Sequence, residues 1–264
     1  VITFYRLFIA CAILLPSLWW TRGFSELRTL STRDWSLILL SATALAFHFG
    51  LWIASLGLTL VATSVVLVTA HPLFVAGASH FVLGERVKRI AAVGIVVAFL
   101  GVCVISFADA EAGGTNLYGN LLALLGGICA GVYFLSGRIA RQTISLGSYV
   151  FTVYLIAATM LFVGALLVGD EMVVSSQREL TLFLLLAIVP TILGHTMFNY
   201  ALKAVPAHVV STSLLAEPIG ASVLAYFLLP DEVPGKWIIV GSVFVIGGLY
   251  AVLMTSRRRG NPSS

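Results

Sequence analysis

Charge is what this chain has least of. Of its 264 residues only 10% are Asp, Glu, Lys or Arg, against about 25% in an ordinary soluble domain. A water-facing surface of that size could not be solvated, which excludes a soluble globule. Cysteine is scarce too. Cys11, Cys103 and Cys129 lie inside apolar stretches without paired spacing, so neither a disulfide framework nor a metal site is expected. Also missing are a Gly-x-x-x-x-Gly-Lys-Ser/Thr phosphate loop, a His-Glu-x-x-His pair, a Gly-x-Ser-x-Gly elbow and a pair of intramembrane Asp. Direct ATP drive and the common hydrolytic chemistries therefore lack their residues. An enzyme is not expected, and no cofactor is implied.

What is present is apolar: 59% of residues, with a mean hydropathy of +1.05. These residues form nine blocks: Ile2 to Trp20, Trp35 to Leu56, Ala62 to Leu83, Ala91 to Phe107, Tyr118 to Ser136, Gly147 to Val168, Thr181 to Leu202, Ala207 to Leu229 and Trp237 to Met254. Each is near the ~20 residues a helix needs to cross a bilayer. They are continuously apolar, without the alternation of an outer-membrane strand, so the expected fold is all-α and integral to the membrane. The first block is too long, and too continuous with the next segment of chain, for a cleaved signal peptide.

The net charge of +4 reflects orientation rather than a nucleic-acid partner. Twelve of the 15 Lys and Arg fall in alternate connectors: Arg22, Arg28, Arg33; Arg86, Lys88, Arg89; Arg138, Arg141; Lys203; and Arg257 to Arg259. Only Arg6, Arg178 and Lys236 fall on the other side. By the positive-inside rule the C-terminus is cytoplasmic, Val1 is outside, and the protein sits many times through the plasma membrane.

The chain also repeats itself. At an offset of 146, Leu56 pairs with Leu202, Ala70 with Ala216, Pro72 with Pro218 and Phe81 with Phe227. One residue more aligns Glu85 with Glu232, Val93 with Val240, Gly94 with Gly241 and Gly101 with Gly248. Shared Leu and Val can be compositional; shared Pro, Glu and Gly in one register are less so. The two Glu loops fall on opposite sides, so the halves are inverted, as in many alternating-access carriers. The expected divisions are 1–108, 117–256 and a cytoplasmic tail 257–264. The second half has five spans and the first four, short by 147 − 118 = 29 residues. Ten helices are therefore expected of the natural protein and nine of this chain, the first being missing.

These features resemble the EamA family of the drug/metabolite transporter superfamily. The matching residues are Tyr5-Arg6, Ala70-His71-Pro72, Ala216-Glu217-Pro218, Leu83-Gly84-Glu85 and the glycines Gly94 and Gly101. The second half departs from the pattern, with Leu229-Pro230-Asp231-Glu232 where the family often has Leu-Gly-Glu. The resemblance implies a secondary transporter or exporter of small metabolites, such as amino acids, with a central cavity.

Glu217 is the one acidic residue in mid-span, where a charge costs roughly 2.5–3.5 kcal/mol. Its repeat equivalent is His71, and each precedes a proline that withholds a backbone donor from the carbonyl four residues back. Two roles fit. Glu217 and His71 are cavity groups binding a small-molecule substrate, a coupling proton or both, with Pro72 and Pro218 breaking the helices there. Alternatively they hydrogen-bond packed neighbours and hold the halves together. His195 and Asn199 share a helix face with Tyr200 adjacent, and His48 and Trp52 repeat that spacing in the equivalent span. Cavity lining or interhelical bonding suits both pairs, and Tyr133 is a further cavity candidate. His80, half a turn out of phase with His71, is read as structural, and His208 as interfacial. Tyr154, Trp19, Trp20 and Trp237 read as anchors or packing residues, and Gly127 and Gly131 as a small-xxx-small packing pair. Nothing in the sequence fixes oligomeric state, substrate or coupling ion.

Overall fold

A computed structural model of the chain describes residues 1–107, 116–228 and 236–257. Glu232, the repeat partner of Glu85, lies outside the described residues, as do the Leu229 to Asp231 departure and Arg258 and Arg259 of the tail. The described residues form helices and connectors, with no strand among them. In chain order these are α1 (Ile2–Trp20), α2 (Gly23–Thr29), α3 (Thr32–Leu56), α4 (Val61–Val68), α5 (His71–Leu83), α6 (Arg89–Phe107), α7 (Leu117–Ala140) and α8 (Leu146–Val168). Next come α9 (Gln177–Leu186), a π-helical stretch (Ala187–Thr196) and α10 (Met197–Ala201). The last are α11 (Ala207–Ser213), a 3-10 turn (Leu214–Ala216), α12 (Glu217–Leu228) and α13 (Lys236–Arg257).

As far as they are described, all nine apolar blocks centre on these helices. Seven spans among the described residues are long and apolar enough to cross a membrane, including Thr63–Leu83 and Gln177–Ala201 taken as single spans. Two blocks are interrupted near their middles, α4 from α5 and α11 from α12.

The helices gather into two compact units that do not follow chain order. Unit 1 holds Val1–Gly50 and Val132–Val205; unit 2 holds Leu51–Gly131 and Pro206–Ser264. Each unit thus draws on both halves of the sequence.

In unit 1 the main packing is α1 on α8, where Leu7, Ala10, Val153 and Ala157 are fully buried. Their connectors are tied together by Glu26 of α2. Its carboxylate accepts the Ser145 N–H at 2.8 Å, the Ser145 hydroxyl, and the Ser148 hydroxyl at 2.5 Å. Ser145 is also the N-cap of α8, so an anion sits where the helix dipole favours one. Burial alone would raise the Glu26 pKa, but those hydrogen bonds and the Arg141 charge outweigh it and hold the carboxyl below its ordinary 4.5. A lowered folded pKa contributes stability that is present above the unfolded value and lost as pH falls through the folded one. Glu26→Gln should therefore melt at a lower temperature than the wild type at neutral pH. Detergent melts at stepped pH should show the gap closing below the ordinary carboxylate range.

In unit 2, α6 and α13 run antiparallel and nearly in backbone contact. A Cβ on Gly94 would stand 2.7 Å from the Gly248 carbonyl oxygen, and one on Gly101 2.6 Å from that of Gly241. Lipid tails are as apolar as leucine, so helix association in a bilayer depends on packing of this closeness rather than on escape from water. Beside the crossing, Ala98, Val102, Ile105, Leu215 and Val245 form a buried cluster. Gly127 and Gly131 of α7 are also tightly seated. A Cβ on Gly127 would lie 2.7 Å from the Val68 carbonyl oxygen, and one on Gly131 would run into the Phe74 ring.

Candidate functional site

In unit 2 the interruptions come directly before the two polar residues singled out in mid-span. α4 ends at Val68, and α5 restarts at His71, with Pro72 in its first turn. Pro72 has no N–H for the Val68 carbonyl, and that carbonyl faces the bare backbone of Gly127 instead. Thr69 turns its hydroxyl back to the Val65 carbonyl at 2.6 Å, and the Ala70 N–H bonds the Leu67 carbonyl three residues back, so the helix tightens here. In the later span α11 tightens into the 3-10 turn Leu214–Ala216, and α12 begins at Glu217, followed by Pro218. The backbone stays close to helical through both places, with Ala70, Ser213, Leu214 and Glu217 all right-handed, so His71 and Glu217 follow a tightened turn within one span rather than a new helix start. His71 is buried and Glu217 is exposed. His80, out of phase with His71 along α5, is exposed. Trp52, in the part of α3 that belongs to unit 2, is half-buried.

The start of α11 is fixed by the loop after α5. Gly84 takes the left-handed conformation (φ +63°) that ends α5. The Glu85 carboxylate then accepts the Ala207 N–H at 3.1 Å and lies 3.9 Å from His208 Nδ1. His208, near the start of α11, is buried against that carboxylate. The Leu-Gly-Glu sequence is therefore a helix stop joined to a helix start. Glu85→Ala should lower stability by about 1 kcal/mol, the usual worth of an N-terminal cap, read from thermal unfolding in detergent.

In unit 1 the polar residues surround the π stretch. Pro190 cannot donate to the Leu186 carbonyl, which takes the Thr191 hydroxyl at 2.9 Å in its place. Thr196 makes the same five-residue bond to the Thr191 carbonyl at 3.2 Å. Such stretches are frequent at functional sites. Thr191 Oγ1 in turn accepts from Arg6 Nε at 2.9 Å, and the Arg6 guanidinium carbon lies 4.4 Å from the Phe49 ring centre. Arg6 is only 7% exposed. It is an interior cation, not a connector charge as its place near the chain start suggested.

The His195 ring meets Phe49 edge-on at 5.4 Å and stands 6.1 Å from the Tyr133 ring. Asn199 Nδ2 donates to the Tyr133 hydroxyl at 2.5 Å and to the His195 carbonyl at 2.7 Å. Its Oδ1, fully buried, has no hydrogen-bond partner among the described residues. Buried amide oxygens are seldom left so. Tyr154 shares a 3.2 Å hydrogen bond with Thr196 and is wholly buried, so it is no interface anchor. Trp19, Trp20 and Trp237 are exposed, as anchors are.

Of the residues picked from the sequence, His195, Asn199 and Tyr133 come together, with the His48 ring 5.0 Å from Phe49. Tyr200 does not join them: it is 65% exposed, while adjacent Asn199 is fully buried. His48 and Trp52, one turn apart on α3, fall in different units. Arg6, Thr191, Thr196 and Tyr154 were not picked out. The signal available for two of them was the Pro190-Thr191 pair, with a second Thr five residues on.

Comparison with known proteins bears on the whole chain. A model of the EamA-like transporter family matches residues 1–107 and 117–254. An uncharacterized transporter of Bacillus subtilis, YwfM, is 26% identical over 97% of this chain and 84% of its own length. An uncharacterized transporter of Archaeoglobus fulgidus is 24% identical over 94% of this chain and 86% of its own. A solved crystal structure superposes with a TM-score of 0.83 at 19% identity, covering 98% of this chain and 88% of that one. That likeness bears on the fold alone.

Proposed function

The chain belongs to the EamA-like transporter family, a multi-pass membrane transporter, and from that premise we propose that it exports a small organic metabolite, such as an amino acid or its analogue, by alternating access. One observation carries this reading: two spans lose α-helical regularity directly before His71-Pro72 and Glu217-Pro218, the equivalent positions of the sequence repeat. Irregular backbone at membrane depth is tolerated where it lines a cavity, and the sites of secondary transporters lie near the midplane. In this reading Glu217 binds a cationic group of the substrate or a coupling proton, and His71 takes the opposite role. Taken by itself, unit 1 offers His195, Asn199, Tyr133 and His48 to the polar or aromatic parts of a substrate. The buried Asn199 Oδ1 supports this, being an acceptor that a substrate N–H would satisfy.

Inversion of the two halves has its own support. The repeat maps Gly94 onto Gly241 and Gly101 onto Gly248, whereas the contacts are Gly94 with Gly248 and Gly101 with Gly241. Exchanging the repeats sends each contact into the other, the reciprocity that a two-fold axis produces. The distribution of Lys and Arg supports a plasma-membrane protein with a cytoplasmic C-terminus.

The test is flux in proteoliposomes after a pH jump, with substrates chosen by an efflux and toxicity screen of overexpressing cells against amino acids and their analogues. A carrier saturates and shows counterflow. Flux that rises linearly without counterflow would favour a channel, and chemical alteration of the solute an enzyme.

A further inference from the structure

We propose that unit 2 holds a binding site for one anionic phospholipid, its acyl chain in the groove between α6 and α13 and its headgroup on Arg89. The groove measures about 280 Å³; Ile90, Val93, Val97, Gly247 and Ala251 are among its walls, with Arg89 at one end. Apart from Arg89, its lining is apolar throughout. A polar metabolite would find nothing to hold it there, whereas a hydrocarbon chain would. The groove opens outward, with Ile90 63% and Val93 62% exposed. Gly247 opens onto it as well: a Cβ there would meet nothing within 4 Å. Gly94 and Gly248, by contrast, are taken up by the helix crossing.

Charge decides which lipid. Arg86, Lys88 and Arg89 are all exposed at this end, and Lys88 Nζ donates to the Thr255 carbonyl at 3.1 Å, bringing a second cation to the end of α13. Arg257 is the last residue of α13, and Arg258 and Arg259 follow it in the sequence. The acidic residue of the loop, Glu85, is buried and caps the Ala207 N–H, whereas the three cations are exposed. Orientation alone would gather cations at this end; it would not place one of them at the mouth of an apolar groove. Cationic pockets between membrane helices on that side suit anionic headgroups. The site does not depend on the carrier mechanism.

Native mass spectrometry of the full-length purified protein, titrated with phosphatidylglycerol and phosphatidylcholine, tests the site. The wild type should retain one phosphatidylglycerol in preference to phosphatidylcholine. Arg89→Gln should weaken that retention by about fivefold, the worth of one interfacial cation. Gly247→Leu, at a position where a Cβ meets nothing within 4 Å, puts a side chain into the groove and should abolish retention of the tightly held lipid. Equal retention of the two lipids, or unchanged phosphatidylglycerol retention in Arg89→Gln, overturns the proposal. Arg89→Gln touches only an exposed side chain, so it keeps the test decisive even if Gly247→Leu folds poorly.

Discussion

Glu217→Gln should lower saturable flux about ten- to hundredfold at unchanged expression, the span expected for losing a hydrogen bond to a charged group worth roughly 1.5–3 kcal/mol. The substitution keeps the size of the side chain and its place at the start of α12, and removes the charge and one acceptor oxygen. His71→Ala should also lower flux and flatten its pH dependence, because imidazole is the side chain that ordinarily titrates near neutrality. A purely architectural role predicts something different: lower yield or melting temperature, with flux per folded molecule preserved. Wild-type flux and pH dependence in both variants would remove Glu217 and His71 from the mechanism.

Gly101→Val should be the most damaging substitution to the fold. Its Cβ alone would stand 2.6 Å from the Gly241 carbonyl oxygen and 2.8 Å from both the Val245 backbone nitrogen and its Cγ2. Two of those three atoms are backbone and cannot turn aside, so α13 as a whole must withdraw. Overpacking a tight core costs typically 1–3 kcal/mol, and here the withdrawal would also open the cluster of Ala98, Val102 and Val245. We expect little detergent-stable protein by size-exclusion chromatography. Gly77→Val, at a position where a Cβ meets nothing within 4 Å, should behave as the wild type. Equal stability of the two variants would mean that the α6–α13 contact is looser than described.

Some features were legible because they arise from local chemistry. Block length gave the spans, since a bilayer has one thickness. Pro72 and Pro218 marked the interruptions, because a proline withholds its hydrogen bond wherever it stands. Gly94, Gly101, Gly241 and Gly248 stood out by their register, and close contact is a use that a glycine register suggests. Other features depend on partners distant in sequence. Nothing around Glu85 announces that its carboxylate caps a helix beginning at Ala207. Arg6 reads as a flank charge until Thr191 and Phe49 are placed beside it. Pro190 was visible, but whether a proline kinks, breaks or widens a helix depends on what satisfies the stranded carbonyl, here the hydroxyl of Thr191. Tyr200 was misleading because it adjoins Asn199, and neighbours in a helix point about 100° apart.

The irregular turns in the two prolyl spans are proposed to line a passage that water enters, and thiol accessibility tests this most directly. With Cys11, Cys103 and Cys129 replaced by Ala, single cysteines are placed at Thr69, just after Val68, and at Ser213, just before Leu214, at the two interruptions. Both should react in intact membranes with a hydrophilic, membrane-impermeant thiol reagent. Should neither react until the protein is denatured, the interruptions are dry packing features and the passage does not run through them.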